Sequence, residues 1–184
     1  MEMHRKYEEY AYVLDVLPNS RSKTVKGREG LIIQAIGEDK LTLLELLGMP
    51  NMDFEIGERL YIGKEGRTKV ISVLGRLDYN SLTSAAKDEL PYIIENIVKN
   101  NEKKFIDYIN HAQPLTPRIH SLELIPGIGK TYLMQILNER EKKPFESFED
   151  LQQRTGIREP IKIIAKRIYE EISGNTKMNI FVKR

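Results

Sequence analysis

Residues 116–140 read TPRIHSLELIPGIGKTYLMQILNER, and the bend in the middle of this stretch decides how the C-terminal part of the chain folds. Pro126 lacks the N–H that a helix needs to continue, so a leading helix must stop there. Gly127 and Gly129 release the backbone from side-chain sterics, while apolar Ile128 between them can plug the turn into a core. A new helix opens at Lys130, with Leu133, Ile136 and Leu137 at helical spacing. Thr116 is a suitable N-cap, and Pro117 a suitable first residue, for the leading helix. The first turn of the second helix exposes unpaired N–H groups and the positive end of the dipole. With no Cβ at 127 or 129 a phosphate can come close, and the Lys130 ammonium adds a point charge. Pro126, Gly127, Ile128, Gly129, Lys130 and Thr131 are therefore the candidate phosphate seat.

The order Ile125, Pro126, Gly127, Ile128, Gly129 followed by an apolar-spaced helix resembles the helix-hairpin-helix family. The resemblance implies sequence-independent binding of a nucleic-acid backbone by hairpin amides. It also implies, in some members, a monovalent cation held by carbonyls of the 125–130 hairpin. The alternative is a glycine-rich turn that only joins two packed helices. Flanking helices of the right spacing favour the binding reading over a lone Gly-x-Gly.

A second, degenerate copy follows. Ser147 with Asp150 forms a capping box, opening a third helix that runs to Arg154, with Phe145 and Phe148 buried. Residues 155–160 make another turn, and IKIIAKRIYEEI supplies a fourth helix with Ile161, Ile164, Ala165 and Ile168 on its apolar face. Aligning Gly156-Ile157 with Gly127-Ile128 exposes an internal repeat. Arg158 replaces the second glycine, and about three extra residues precede Ala165, the position matching Leu133. Lys162, Lys166 and Arg167 lie near one another at helical spacing and, with Gly156 and Arg158, are candidate phosphate contacts. The pair resembles the tandem helix-hairpin-helix module, a four-helix unit that straddles a duplex. The other reading is that the second copy serves to bury the first.

Upstream, five short segments have strand character: 10–17, 31–36, 41–47, 58–62 and 69–75, separated by turn signals. Five strands in so short a stretch suggest a small barrel, one form of which is the five-stranded OB fold that binds single-stranded nucleic acid. The loop from Pro18 to Gly30 carries Arg21, Lys23, Lys26 and Arg28 against Glu29, a basic finger or else a solvated connection. Tyr10, Tyr12 and Tyr61 are stacking candidates, with core packing the favoured reading. Residues 80–112 are helical, capped by Ser81 or Thr83. The reading is α+β in two domains. An OB-like barrel spans 8–79, connecting helices 80–113, and an all-α tandem helix-hairpin-helix domain 114–175. In the tail, 176–184, Ile180-Phe181-Val182 is apolar enough to dock on the barrel as an extra strand.

The 184 residues are 40% hydrophobic, enough for real cores. Cysteine is absent, which excludes disulfides, thiolate metal sites and a cysteine nucleophile. No apolar run reaches membrane-spanning length and the N-terminus has no signal-peptide pattern, so a cytoplasmic protein is expected. Net charge is only +2, so any polyanion footprint must be local. From Pro114 onward there are 13 Lys and Arg against 9 Asp and Glu, so the basic excess sits with the hairpins.

The order of parts, with runs such as LTSAAKDELPYIIENIVKNNEKKF (82–105) and HSLELIPGIGK (120–130), resembles an archaeal family of unassigned function, domain of unknown function six hundred and fifty-five. The resemblance covers nearly the whole chain. It implies an OB-like barrel followed by helix-hairpin-helix elements, an archaeal source, and a gene neighbourhood of ribosomal and rRNA-modification genes that tilts the expected polymer toward RNA.

Catalytic signatures are missing. His4, His111 and His120 have no second ligand at metal spacing. Gly129-Lys130-Thr131 imitates the end of a Walker motif, but Leu124 stands where its leading glycine belongs and no strand feeds it. A hairpin glycosylase needs a free catalytic aspartate, whereas Asp150 is committed to capping. The expected function is thus non-enzymatic nucleic-acid binding, RNA before DNA, without cofactor or membrane. Ribosomal or RNA-processing proteins are further candidate partners. The alternatives are a protein-interaction scaffold and a DNA-binding protein of replication or repair.

Overall fold

The computed structural model describes residues 8–17, 24–25 and 28–183. Among them the strands are β1 Tyr10–Val16, β2 Thr24–Val25, β3 Arg28–Glu29, β4 Leu31–Gly37, β5 Leu43–Gly48, β6 Arg59–Tyr61 and β7 Val70–Arg76. The helices are α1 Ser84–Asn100, α2 Glu102–His111, α3 Lys130–Lys142, α4 Phe148–Thr155 and α5 Pro160–Ile172, with 3-10 turns at Tyr79–Ser81 and Ser121–Leu124. The class is α+β. The chain forms two compact units, one of residues up to 93 together with those from 171, the other of residues 94–170. Both divisions fall inside helices, α1 and α5.

In the first unit five strands form an antiparallel sheet in the order β6-β1-β4-β5-β7, and β2 pairs with β3 separately. Every residue of β4 is buried, as its unbroken apolar run requires of a central strand. Ala11, Val13, Ile33, Ala35, Leu44, Leu46, Leu60, Ile62 and Val70 make one core cluster. Bulges at Leu14 of β1, against β4, and at Leu74 and Ile71 of β7, against β5, bend the sheet.

The expected barrel is not closed by hydrogen bonds, because β6 and β7 are the two edges of the sheet. β6 has only three residues. The Arg67 guanidinium takes the place of a ladder beyond it, donating to the carbonyls of Ile62 (3.0 and 3.2 Å), Gly63 (2.6 Å) and Ile71 (3.0 Å). The tyrosines are occupied within the fold. Tyr12 is buried with its hydroxyl on Glu38, while Tyr10 lies edge-on to Tyr61 under the Arg59 guanidinium.

Thr83 caps α1: its hydroxyl accepts the Ala86 N–H at 3.0 Å and donates to Asp15 of β1 at 2.6 Å. Gln34 of β4 completes the junction through the Ser81 carbonyl and the Thr83 N–H. Among the described residues the tail contains no strand. Phe181 and Val182 are nevertheless buried, and the fully buried Glu171 carboxylate accepts the N–H groups of Ile180, Phe181 and Val182 at 2.8–3.0 Å. The Lys183 N–H then donates to the Lys40 carbonyl at 3.1 Å.

In the second unit the helix expected from Pro117 does not form. The N–H groups of Leu115 and Thr116 donate to the Ile119 carbonyl, and the Thr116 hydroxyl accepts those of Arg118 and Ile119, closing a compact loop. His120 then caps a single 3-10 turn, its Nδ1 accepting from Leu122 while Glu123 accepts the His120 N–H. A cap at 120 and a stop at Pro126 leave too few residues for an α-helix. Ser147 caps α4 through the Asp150 N–H, as expected. The Asp150 carboxylate, however, reaches one residue further back, to the N–H of Glu146, so only half of the capping box forms. Arg154 ties α3 to α4, donating to the carbonyls of Glu139 and Lys143 and to Asp150. Asn110 pairs with both backbone groups of Phe145.

Candidate functional site

The bend at 126–129 faces solvent. Gly127 has φ +96°, a conformation that L side chains rarely adopt, and a Cβ there would meet only Ile163 Cγ2, at 3.5 Å. Gly129 is extended, and a Cβ on it would meet nothing within 4 Å. Ile128 is buried and its N–H closes the turn onto the Ile125 carbonyl at 3.0 Å. Leu133 makes the first α3 bond, to Gly129. Among the described residues the N–H groups of Gly127, Gly129, Lys130 and Thr131 have no protein acceptor. The stop-plug-start reading of Pro126, Ile128 and Lys130 therefore matches the local geometry.

The second turn repeats it with different residues. Gly156 has φ +80° and ends α4 with its N–H on the Gln152 carbonyl, while Ile157 is buried behind it. Arg158 is exposed, and Glu159 has φ +51°, an unusual value for a residue with a Cβ. Pro160 opens α5. The two turns lie side by side. Tyr132, in the first turn of α3, directs its hydroxyl at the Gly156 carbonyl (3.4 Å), and Ile163, in the first turn of α5, lies against Gly127. Each helix start thus supports the other helix's glycine.

The basic side chains do not all present free charge. Lys130 forms an ion pair with Glu123 at 2.6 Å and donates to the Arg118 carbonyl at 2.9 Å. This corrects the expectation of an available ammonium. Sequence reading missed Glu123, although His120-x-x-Glu123 has the spacing of a cap. Lys162 is exposed and lies 3.4 Å from Glu159. Lys166 is exposed, whereas Arg167 is only 7% exposed and donates to the Leu124 carbonyl at 3.4 Å, behind the first turn. Arg167 is therefore turned away from Lys162 and Lys166 and braces the bend from inside. Arg28 is exposed on β3, while Arg21, Lys23 and Lys26 lie outside the described residues.

Burial, and then the Arg140 charge, hold the His120 imidazole below its ordinary pKa against the pull of Glu123. The His120 N–H, then Lys130, hold the Glu123 carboxyl below the usual range. Among the described residues no group of three or more His, Cys, Asp or Glu could hold a metal ion. For a monovalent cation at the first turn, the Ile125 and Gly129 carbonyls already accept N–H groups from Ile128 and Leu133. No described helix is long and apolar enough to cross a membrane.

Comparison with known proteins places this geometry in a group of relatives whose roles are unassigned. The uncharacterized protein MJ0038 of Methanocaldococcus jannaschii is 43% identical over 181 residues, covering 97% of this chain and 82% of the relative. The crystal structure of Af1531 from Archaeoglobus fulgidus superposes with a TM-score of 0.82 at 44% identity, covering 96% of this chain and 100% of that one. A family model described as a protein of unknown function, DUF655, matches residues 7–183, and the chain belongs to that family.

Proposed function

We propose that this protein binds nucleic acid through its two glycine turns and performs no chemistry on it. The observation that carries the reading is the reciprocal support of the turns. Each has a left-handed glycine, a buried isoleucine plug and a helix start, and Tyr132 and Ile163 hold the two together. Such a pair suits a tandem helix-hairpin-helix unit, in which both helix N-termini address phosphates on a duplex. The first turn offers amides, and the second offers Arg158, Lys162 and Lys166 around Gly156. Five antiparallel strands left open between β6 and β7 suit an OB-like half-barrel, a unit for single-stranded or looped segments. RNA is the preferred polymer on the strength of the family resemblance.

Binding of a labelled RNA duplex by wild type and Gly127→Asp tests the reading. The aspartate places a carboxylate where a phosphate oxygen would lie, so affinity should fall about tenfold or more at low salt. A variant that binds as well as wild type removes the bend from the interface.

A further inference from the structure

The unzipped edge of the sheet leaves a cavity in the first unit. Between the segment after β6 and the second half of β7 lies a cleft of about 390 Å³, within the size range of small-ligand sites. Leu44, Ile62 and Val73 supply apolar lining, and Val73 remains 36% exposed. Lys40, Lys64, Arg67 and Arg76 supply positive charge against one carboxylate, that of Glu8. Glu8 is already engaged, accepting the N–H groups of Asp39, Lys40 and Thr42 in the turn between β4 and β5. Arg67 donates to carbonyls alone, so its charge meets no carboxylate among the described residues.

These observations select the occupant. The positive excess calls for an anion, and the apolar lining calls for a body larger than an inorganic ion. An added peptide strand is disfavoured, because Arg67 already occupies the carbonyls of Ile62, Gly63 and Ile71 that it would need as acceptors. The hydroxyls of Ser72 and Thr42 offer hydrogen bonds to a polar edge. We propose that the β6–β7 seam binds one nucleotide, its base against Leu44, Ile62 and Val73 and its phosphate among Arg67, Arg76 and Lys40. The inference deepens the single-strand reading of this unit and does not depend on the glycine turns.

Backbone-amide NMR spectra of the isotopically labelled full chain supply the test, with uridine monophosphate, uridine, inorganic phosphate and single-stranded octauridylate as probes. Uridine monophosphate should move the amides of Ile62, Gly63, Ser72, Val73 and Gly75. Uridine or phosphate alone should need about tenfold higher concentration. Arg76→Glu, at an exposed position, should weaken nucleotide binding about tenfold without altering the rest of the spectrum. Tighter binding of octauridylate than of the mononucleotide identifies a strand segment as the ligand, and the reverse order a free nucleotide. Unmoved seam amides, equal shifts with phosphate alone, or an unaffected Arg76→Glu variant overturn the proposal. Gly127→Asp should leave the seam titration intact, so failure of the hairpin reading and failure of the seam are separable.

Discussion

The ammonium of Lys130 lies 2.6 Å from the carboxylate of Glu123, and this pair sets how much charge the first glycine turn can offer a ligand. Glu123→Gln keeps an acceptor for the His120 N–H and releases the lysine. Its affinity for duplex RNA should rise several-fold and its salt dependence should steepen by about one unit of log–log slope. In the Glu123→Gln background, Lys130→Ala should weaken binding evenly across sequences and reduce the slope by about one. Fluorescence anisotropy at several salt concentrations reads both, and unchanged slopes would place this ammonium outside the interface.

Gly129 offers a separation of stability from binding. It is the N-cap of α3 and has no side chain to accept the orphan amides, while a Cβ there meets nothing. Gly129→Ser should therefore stabilise the fold by a few tenths of a kcal/mol, roughly the difference between serine and glycine caps. The same hydroxyl would take up an amide that the proposed function assigns to phosphate. Denaturation should thus show a slight gain and RNA titration a loss; a gain in both would argue that the amides are not used.

Glu171 secures the tail. A fully buried carboxylate accepting three consecutive N–H groups cannot be removed without leaving those donors unpaired. Glu171→Ala should cost roughly 3 kcal/mol, read as a lower urea midpoint. Truncation after residue 175 removes the same donors and buries Phe181 and Val182 no longer, so it should destabilise at least as much. A truncated chain with the wild-type midpoint would show that the tail contributes nothing.

His120 makes stability depend on pH. Its Nδ1 accepts from Leu122, so the buried neutral ring carries its proton on Nε2, and burial and Arg140 depress the pKa. Below its ordinary value of 6.5 the unfolded chain takes up a proton that the folded chain refuses. The contribution is complete above that pH and is lost as pH falls from there through the depressed folded value. His120→Asn keeps a capping acceptor without the titration, so its urea midpoint should fall less than that of wild type between about pH 7 and about pH 5.5. Parallel pH profiles would show that the folded imidazole takes up a proton as readily as the unfolded one.

Much of the fold was legible because its signals are local. Strand runs such as LIIQAI, the stop at Pro126, the plug at Ile128 and the cap at Ser147 each act over a few residues, and the elements appear at those places. The helix expected from Pro117 was misread for the same local reason. Thr116 and Pro117 look like a helix start, but His120 with Glu123 captures the amides first. Arg167 was misread through exposure, since helical spacing does not say which face carries a core.

The sequence by itself determined where the five sheet strands and most helices lie, the two glycine bends and the absence of any thiol chemistry, because backbone freedom and residue type are properties of single positions. Tertiary structure alone decided that the sheet stays open beside Arg67, that Glu123 neutralises Lys130, and that Tyr132 meets Gly156. Those outcomes depend on which distant groups reach one another first, and hydrogen-bond and charge pairing in three dimensions has no signature in linear order.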